Sequence, residues 1–123
     1  MTEKTKTVDI EDDDFVQRDW GSWLIIGRGP GFKIKRLTLF PNKSISMQYH
    51  NHRAETWCVV DGQGKACVGE RTFDIHKHAS FYIPIGVTHK VSNTSSTKNL
   101  IIIEVQQGEI VREDDIVRIG QPT

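Results

Sequence analysis

The chain has 123 residues and a mass of 14.0 kDa, a size that sets the expectation of one domain with its own core and no need of a disulfide or metal staple. Sixteen Lys and Arg cancel sixteen Asp and Glu, so no surplus charge draws in nucleic acid or anionic lipid, and neither is expected as a partner. The longest apolar runs, such as Leu100 to Ile103, fall far short of the ~20 residues of a membrane-spanning helix.

Residues 1–14 are rich in Lys, Thr, Glu and Asp and end in Glu11-Asp12-Asp13-Asp14. Adjacent carboxylates repel, so a flexible acidic arm is expected there, followed by one domain over 15–123. No signal-peptide pattern stands in this start. That sets the expectation of a cytoplasmic protein with Cys58 and Cys67 as reduced thiols. From Phe15 onward the signal is β. Strands are expected at 22–26, 32–40, 45–50, 56–60, 65–68, 71–75, 80–83, 89–92 and 99–106, divided by turn residues such as Gly29-Pro30-Gly31, Asp61-Gly62-Gln63-Gly64 and Pro84-Ile85-Gly86. Phe15, Trp20 and Trp23 read as packing under this body or onto a second subunit. Residues 116–119 read as an added strand.

Alternation over 45–50 puts Ile45, Met47 and Tyr49 on one face and Ser46, Gln48 and His50 on the other. A hairpin at 51–54 is expected to return Glu55 beside His50 on the neighbouring strand. His89 follows a Pro-x-Gly turn at the start of another strand. Imidazoles and a carboxylate converging from three strands suit a first-row divalent metal.

The spacing resembles the two cupin motifs. Pro84-x-Gly86-x-x-His89-x-x-x-Asn93 fits the second without a gap, with His78 in the place of its leading Gly. In the first, Gln48-Tyr49-His50 fits the His-x-His position, with Asn42 in the place of the leading Gly and Gly62 closing the motif. A rival register uses His50-Asn51-His52. The preferred register implies metal ligands Gln48, His50, Glu55 and His89, with His52 as an alternative ligand. It implies one divalent ion (zinc, manganese, iron, nickel or cobalt) in an all-β, single cupin barrel of the jelly-roll, double-stranded β-helix type.

The blocks Trp20-Gly21-Ser22, Gly31 to Leu37, Gln48-x-His50-x-His52-Arg53-Ala54-Glu55-x-Trp57, Ile103-Glu104-Val105-Gln106 and Asp114 to Arg118 are similar to the C-terminal cupin domain of type II mannose-6-phosphate isomerases. Those enzymes also carry a mannose-1-phosphate guanylyltransferase domain, of which no Gly-rich nucleotide loop is seen here. The resemblance implies interconversion of mannose 6-phosphate and fructose 6-phosphate, hence a small sugar phosphate as partner, and the wider family implies a homodimer. Two departures are Thr56 for the usual His and Lys90 for the usual Arg.

Moving a proton between adjacent carbons of an open-chain sugar requires a base and stabilised oxygen charge. His52 and Glu104 are the candidate bases; Glu104 alternatively pairs structurally with Arg36 or another cation at the barrel mouth. Arg53, Lys90 and Arg36 are candidate phosphate binders and Trp57 a cavity wall. Lys33 and Lys35, opposite Phe32 and Ile34, read mainly as solvated, with phosphate binding as their alternative. Two other functions stay open: a non-catalytic sugar or sugar-nucleotide binding cupin, and a metal cupin of other chemistry such as an Fe(II) dioxygenase.

Overall fold

The computed structural model describes residues 14–109 and 111–119. All of the expected acidic arm but Asp14 lies outside them. The described elements are strands: β1 (Phe15–Arg18), β2 (Gly21–Gly29), β3 (Phe32–Leu39), β4 (Gln48–Tyr49), β5 (Arg53–Asp61), β6 (Gln63–Val68), β7 (Arg71–His76), β8 (Ser80–Ile83), β9 (His89–Asn93), β10 (Leu100–Gly108) and β11 (Val117–Arg118). No helix among the described residues is long and apolar enough to cross a membrane. Two antiparallel sheets form, in the orders β1-β2-β3-β10-β5-β8 and β11-β4-β9-β6-β7.

Period-two alternation decides which side chains enter the space between the sheets. On β3 the inward row is Lys33, Lys35, Leu37 and Leu39; on β10 it is Leu100, Ile102, Glu104 and Gln106; on β5 it is Arg53, Glu55, Trp57 and Val59. Register then sorts these rows into layers. Leu39 faces Leu100, Leu37 and Val59 flank Ile102, Lys35 and Trp57 flank Glu104, and Lys33 and Glu55 flank Gln106. One end of the barrel is therefore apolar, completed by Ile45, Ala66, Ile75, Ile83 and Val91. The other end is charged. Each large aliphatic buried in the apolar half contributes about 1.5–3 kcal/mol, which anchors the charged half.

Three sequence expectations change here. The strand expected over 45–50 is regular only at Gln48–Tyr49. Ile45 is buried in the core, yet Ser46 and Gln48, of opposite parity, line a cavity and His50 is buried. Strict alternation does not carry through because residues 45–47 lie outside any strand, although the Ile45 backbone N–H donates to the Val91 carbonyl at 3.0 Å. Nor is the 51–54 turn a hairpin: β4 and β5 belong to different sheets, so the chain turns a corner there. Lys33 and Lys35 are 2% and 4% exposed because they share the parity of Leu37 and Leu39. The extra strand expected near 116–119 forms as β11, pairing with β4, and Trp20 and Trp23 stack on each other against the core edge. Phe15 on β1 stays exposed.

Candidate metal centre

The corner between the sheets is what gathers the site. His50 is the last residue before it, and Glu55 enters from β5 just after it. His89 opens β9 and pairs in register with Gln48 on β4. The expected meeting of His50 and Glu55 therefore takes place across the gap between the sheets. Their ligand atoms and that of His89 all lie within 4.8 Å of one another. The two imidazole centroids are 5.1 Å apart, a separation that bonds of ~2.1 Å to a common ion span.

The tautomers follow from the backbone. His50 Nδ1 lies 2.6 Å from the Asp115 carbonyl oxygen and His89 Nδ1 lies 3.1 Å from that of Val87. A carbonyl only accepts, so each Nδ1 donates and each Nε2 keeps its lone pair. Both Nε2 atoms face Glu55, at 3.2 Å from Oε2 for His50 and 3.7 Å from Oε1 for His89. Burial, followed by the nearby Arg53 charge, pushes the His50 pKa down to about 4. Burial also lowers that of His89. Both rings are neutral at neutral pH, which is the metal-binding form. His89 Nε2 is buried and has no hydrogen-bond partner among the described residues. A buried acceptor left alone is costly; a divalent cation satisfies it, and this orphaned atom is the observation that fits the residues to a metal. The hydrogen bonds behind the rings are the kind that orient metal-bound histidines.

The remaining side chains divide sharply. Glu55 accepts hydrogen bonds from Arg53 Nε and Trp57 Nε1, both at 2.8 Å. Arg53 also donates to the Arg112 carbonyl at 2.9 Å and reaches His50 Nε2 at 3.3 Å, so its guanidinium is engaged inside the site. A cavity of about 610 Å³ opens beside the cluster, lined among others by Gln48, Arg53, Trp57, Glu104, Trp20 and Trp23. Glu104 accepts from Gln106 Nε2 at 2.8 Å. Burial first, and then the Glu55 carboxylate, raise its pKa to about 8.

His52, Arg36 and Lys90 stand elsewhere. His52 is exposed, because the corner turns it outward while its backbone N–H donates to Asp115 Oδ2 at 3.0 Å; it does not join the cluster as ligand or base. Arg36 is exposed on the outer face of β3 and does not meet Glu104, which instead faces Lys35 in register. Lys90 lies between buried His89 and Val91 on the opposite face of β9, away from the cavity.

Two residues went without a role in the sequence reading. Asp115, 7% exposed, holds the corner by accepting the N–H groups of Asn51 and His52 at 2.9 and 3.0 Å while its carbonyl orients His50. Glu113 pairs with Lys33 and Lys35. The shared parity of Lys33 and Lys35 with Leu37 and Leu39 was the signal available for that pairing.

Two facing antiparallel sheets with two histidines and a glutamate gathered at one end define a cupin. In fold the chain is similar to the cupin domain of Schizosaccharomyces pombe Cnp3 (TM-score 0.70, 14% identity, covering 83% of this chain and 73% of that one). It is also similar to a Lactobacillus farciminis oxalate decarboxylase (TM-score 0.74, 20% identity, 85% and 33%). The sequence model of the family described as mannose-6-phosphate isomerase C-terminal matches residues 5–121, and the chain belongs to that family. It is 44% identical over 103 residues to xanthan biosynthesis protein XanB of Xanthomonas campestris, covering 84% of this chain and 22% of that protein. It is 39% identical over 105 residues to a mannose-1-phosphate guanylyltransferase of Escherichia coli K12, covering 85% and 22%. The chain thus spans about a fifth of the length of these relatives.

Proposed function

We propose that the chain is a metal-dependent aldose–ketose isomerase that interconverts mannose 6-phosphate and fructose 6-phosphate. The observation that carries this reading is the convergence of two neutral imidazoles and Glu55, with one Nε2 orphaned, beside a cavity lined by a second buried carboxyl, Glu104. His50, Glu55 and His89, with Gln48 beside them, would hold a divalent cation, which supplies Lewis-acid stabilisation of the oxygen charge that develops as a proton leaves carbon. Glu104 is the acid–base group: it lines the cavity, and a pKa near 8 populates both protonation states close to neutrality, as a proton shuttle requires. Arg53 and Trp57 fix the Glu55 carboxylate from two sides, and Trp57 walls the cavity.

The family departures do not weaken the site. Thr56 is exposed on the outer face of β5, and Lys90 faces away from the cavity. Neither change touches the inner face, so neither favours the non-catalytic binding reading.

The test is a coupled assay of the full chain, loaded with each candidate divalent metal, with mannose 6-phosphate as substrate. Turnover is expected to vanish with chelator and return with metal. Glu104→Gln is expected to keep stoichiometric metal yet lose about 10²–10⁴ in kcat. Stoichiometric metal with no turnover by the wild type overturns the proposal.

A further inference from the structure

Lys33 and Lys35 are buried inside the barrel, where an ammonium is costly unless an anion meets it. Both meet the same one: Lys33 Nζ lies 3.0 Å from Glu113 Oε2 and Lys35 Nζ lies 2.5 Å from Oε1. The two cations are fixed. They sit on β3, which is paired along its length with β2 on one side and β10 on the other. The anion belongs to a different kind of structure. Glu113 lies in a turn between β10 and β11, and its side chain is 22% exposed.

The surroundings offer more than one carboxylate uses. Lys35 and Glu113 line the cavity, and Lys35 Nζ lies 4.5 Å from the centre of the Trp23 ring. Trp23 Nε1 is buried and has no hydrogen-bond partner among the described residues. Two fixed ammonium groups and an unspent N–H make a donor set for a tetrahedral oxyanion. Its distance from the metal centre is also set by the fold. Lys33, Gln106 and Glu55 form one row across β3, β10 and β5, placing Lys33 two strand spacings, about 9.5 Å, from Glu55 at the backbone. Both side chains point into the interval, which an open-chain hexose phosphate bridges.

We propose that Lys33 and Lys35 form the seat for the phosphate group of the sugar phosphate, and that Glu113 is the resident anion this phosphate displaces. The substrate class rests on the reading given under Proposed function. Exchange of one anion for another leaves neither lysine bare. It also releases the turn that contains Glu113, close to the Arg112 carbonyl that holds Arg53 and the Asp115 carbonyl that holds His50.

Calorimetry on the full chain with inorganic phosphate, mannose 6-phosphate and mannose tests this. Glu113→Gln, nearly isosteric, is expected to bind inorganic phosphate at least tenfold more tightly than wild type. Adding Lys35→Met is expected to reverse that gain. Mannose 6-phosphate is expected to displace inorganic phosphate, and mannose is not. Hydrogen exchange on the wild type gives a second readout that needs no variant: inorganic phosphate is expected to speed exchange across residues 111–116. Equal affinity of Glu113→Gln and wild type, equal affinity with and without Lys35, or unchanged exchange overturns the seat. Phosphate that mannose 6-phosphate fails to displace overturns the sugar-phosphate assignment. Binding as expected without isomerase turnover leaves the seat standing and removes only the reaction.

Discussion

Two histidines two residues apart meet opposite fates, and backbone hydrogen bonds explain why. His50 is pinned by the Asp115 carbonyl with its Nε2 aimed at Glu55, whereas His52 contributes only its backbone N–H to the Asp115 carboxylate and sends its ring to solvent. His50→Ala and His89→Ala are therefore expected to lose bound metal, by elemental analysis, and to lower kcat/KM by about 10³ or more through the missing Lewis acid. His52→Ala is expected to stay within about threefold of wild type. Metal loss in His52→Ala as well as in His50→Ala would restore the rival register. Asp115→Ala strips the acceptor from two backbone donors at the corner, each worth roughly 1–3 kcal/mol if left unsatisfied. Urea denaturation is expected to show a loss of about that size, with metal affinity weakened because the corner positions His50.

Backbone conformation is where the motif spacing becomes intelligible at the scale of strands and turns. Gly62, at the β5–β6 turn, has φ +93°, and a Cβ there would lie 2.6 Å from the Asn99 carbonyl oxygen. Gly62→Ala is expected to cost about 1–3 kcal/mol in urea denaturation, with unchanged metal content. Asn42 and His78, which replace the leading glycines of the two motifs, keep the left-handed conformation, at φ 63° and 81°. Left-handed backbone costs a non-glycine residue roughly 1–2 kcal/mol, and glycine loses about 0.5–1 kcal/mol through unfolded-chain entropy. His78→Gly is thus expected to raise stability by about 0.5–1 kcal/mol. These turns, most of the strand positions and the His50–Glu55–His89 group were legible because turn residues and fixed spacings carry them locally. The change of sheet at 50–53 was not, since a hairpin and a corner demand the same polar residues. Nor were the roles of Glu113 and Asp115 legible, because partners about 80 and 65 residues away in sequence leave no local mark. The inward turn of Lys33 and Lys35 was visible in their parity with Leu37 and Leu39, but polarity alone argued the other way.

Across the whole molecule, the division into an apolar and a charged end makes stability depend on pH in a direction unusual for a carboxyl. Glu104 rises from 4.5 to about 8 through burial and the neighbouring Glu55, so between those values the folded chain holds a proton that the unfolded chain has released. Stability then falls as pH rises, by up to ~1.4 kcal/mol per pH unit. His50 acts oppositely. Its fall from 6.5 to about 4 means that the unfolded chain takes up the proton first as pH drops below 6.5, and His89, lowered by burial, adds in the same sense. Below about pH 6.5 the two histidines oppose Glu104, and above it Glu104 acts with little opposition among these three. Urea denaturation of the chelated chain at pH 5 to 8.5 is expected to give maximum stability at or below about pH 6.5 and a decline from pH 6.5 to pH 8. Glu104→Gln is expected to flatten that decline and to steepen the acid limb, where Glu104 opposes the histidines. A wild-type curve that is level or rising from pH 6.5 to 8 contradicts a neutral Glu104 in the folded barrel, and with it the assignment of this carboxyl as the proton shuttle.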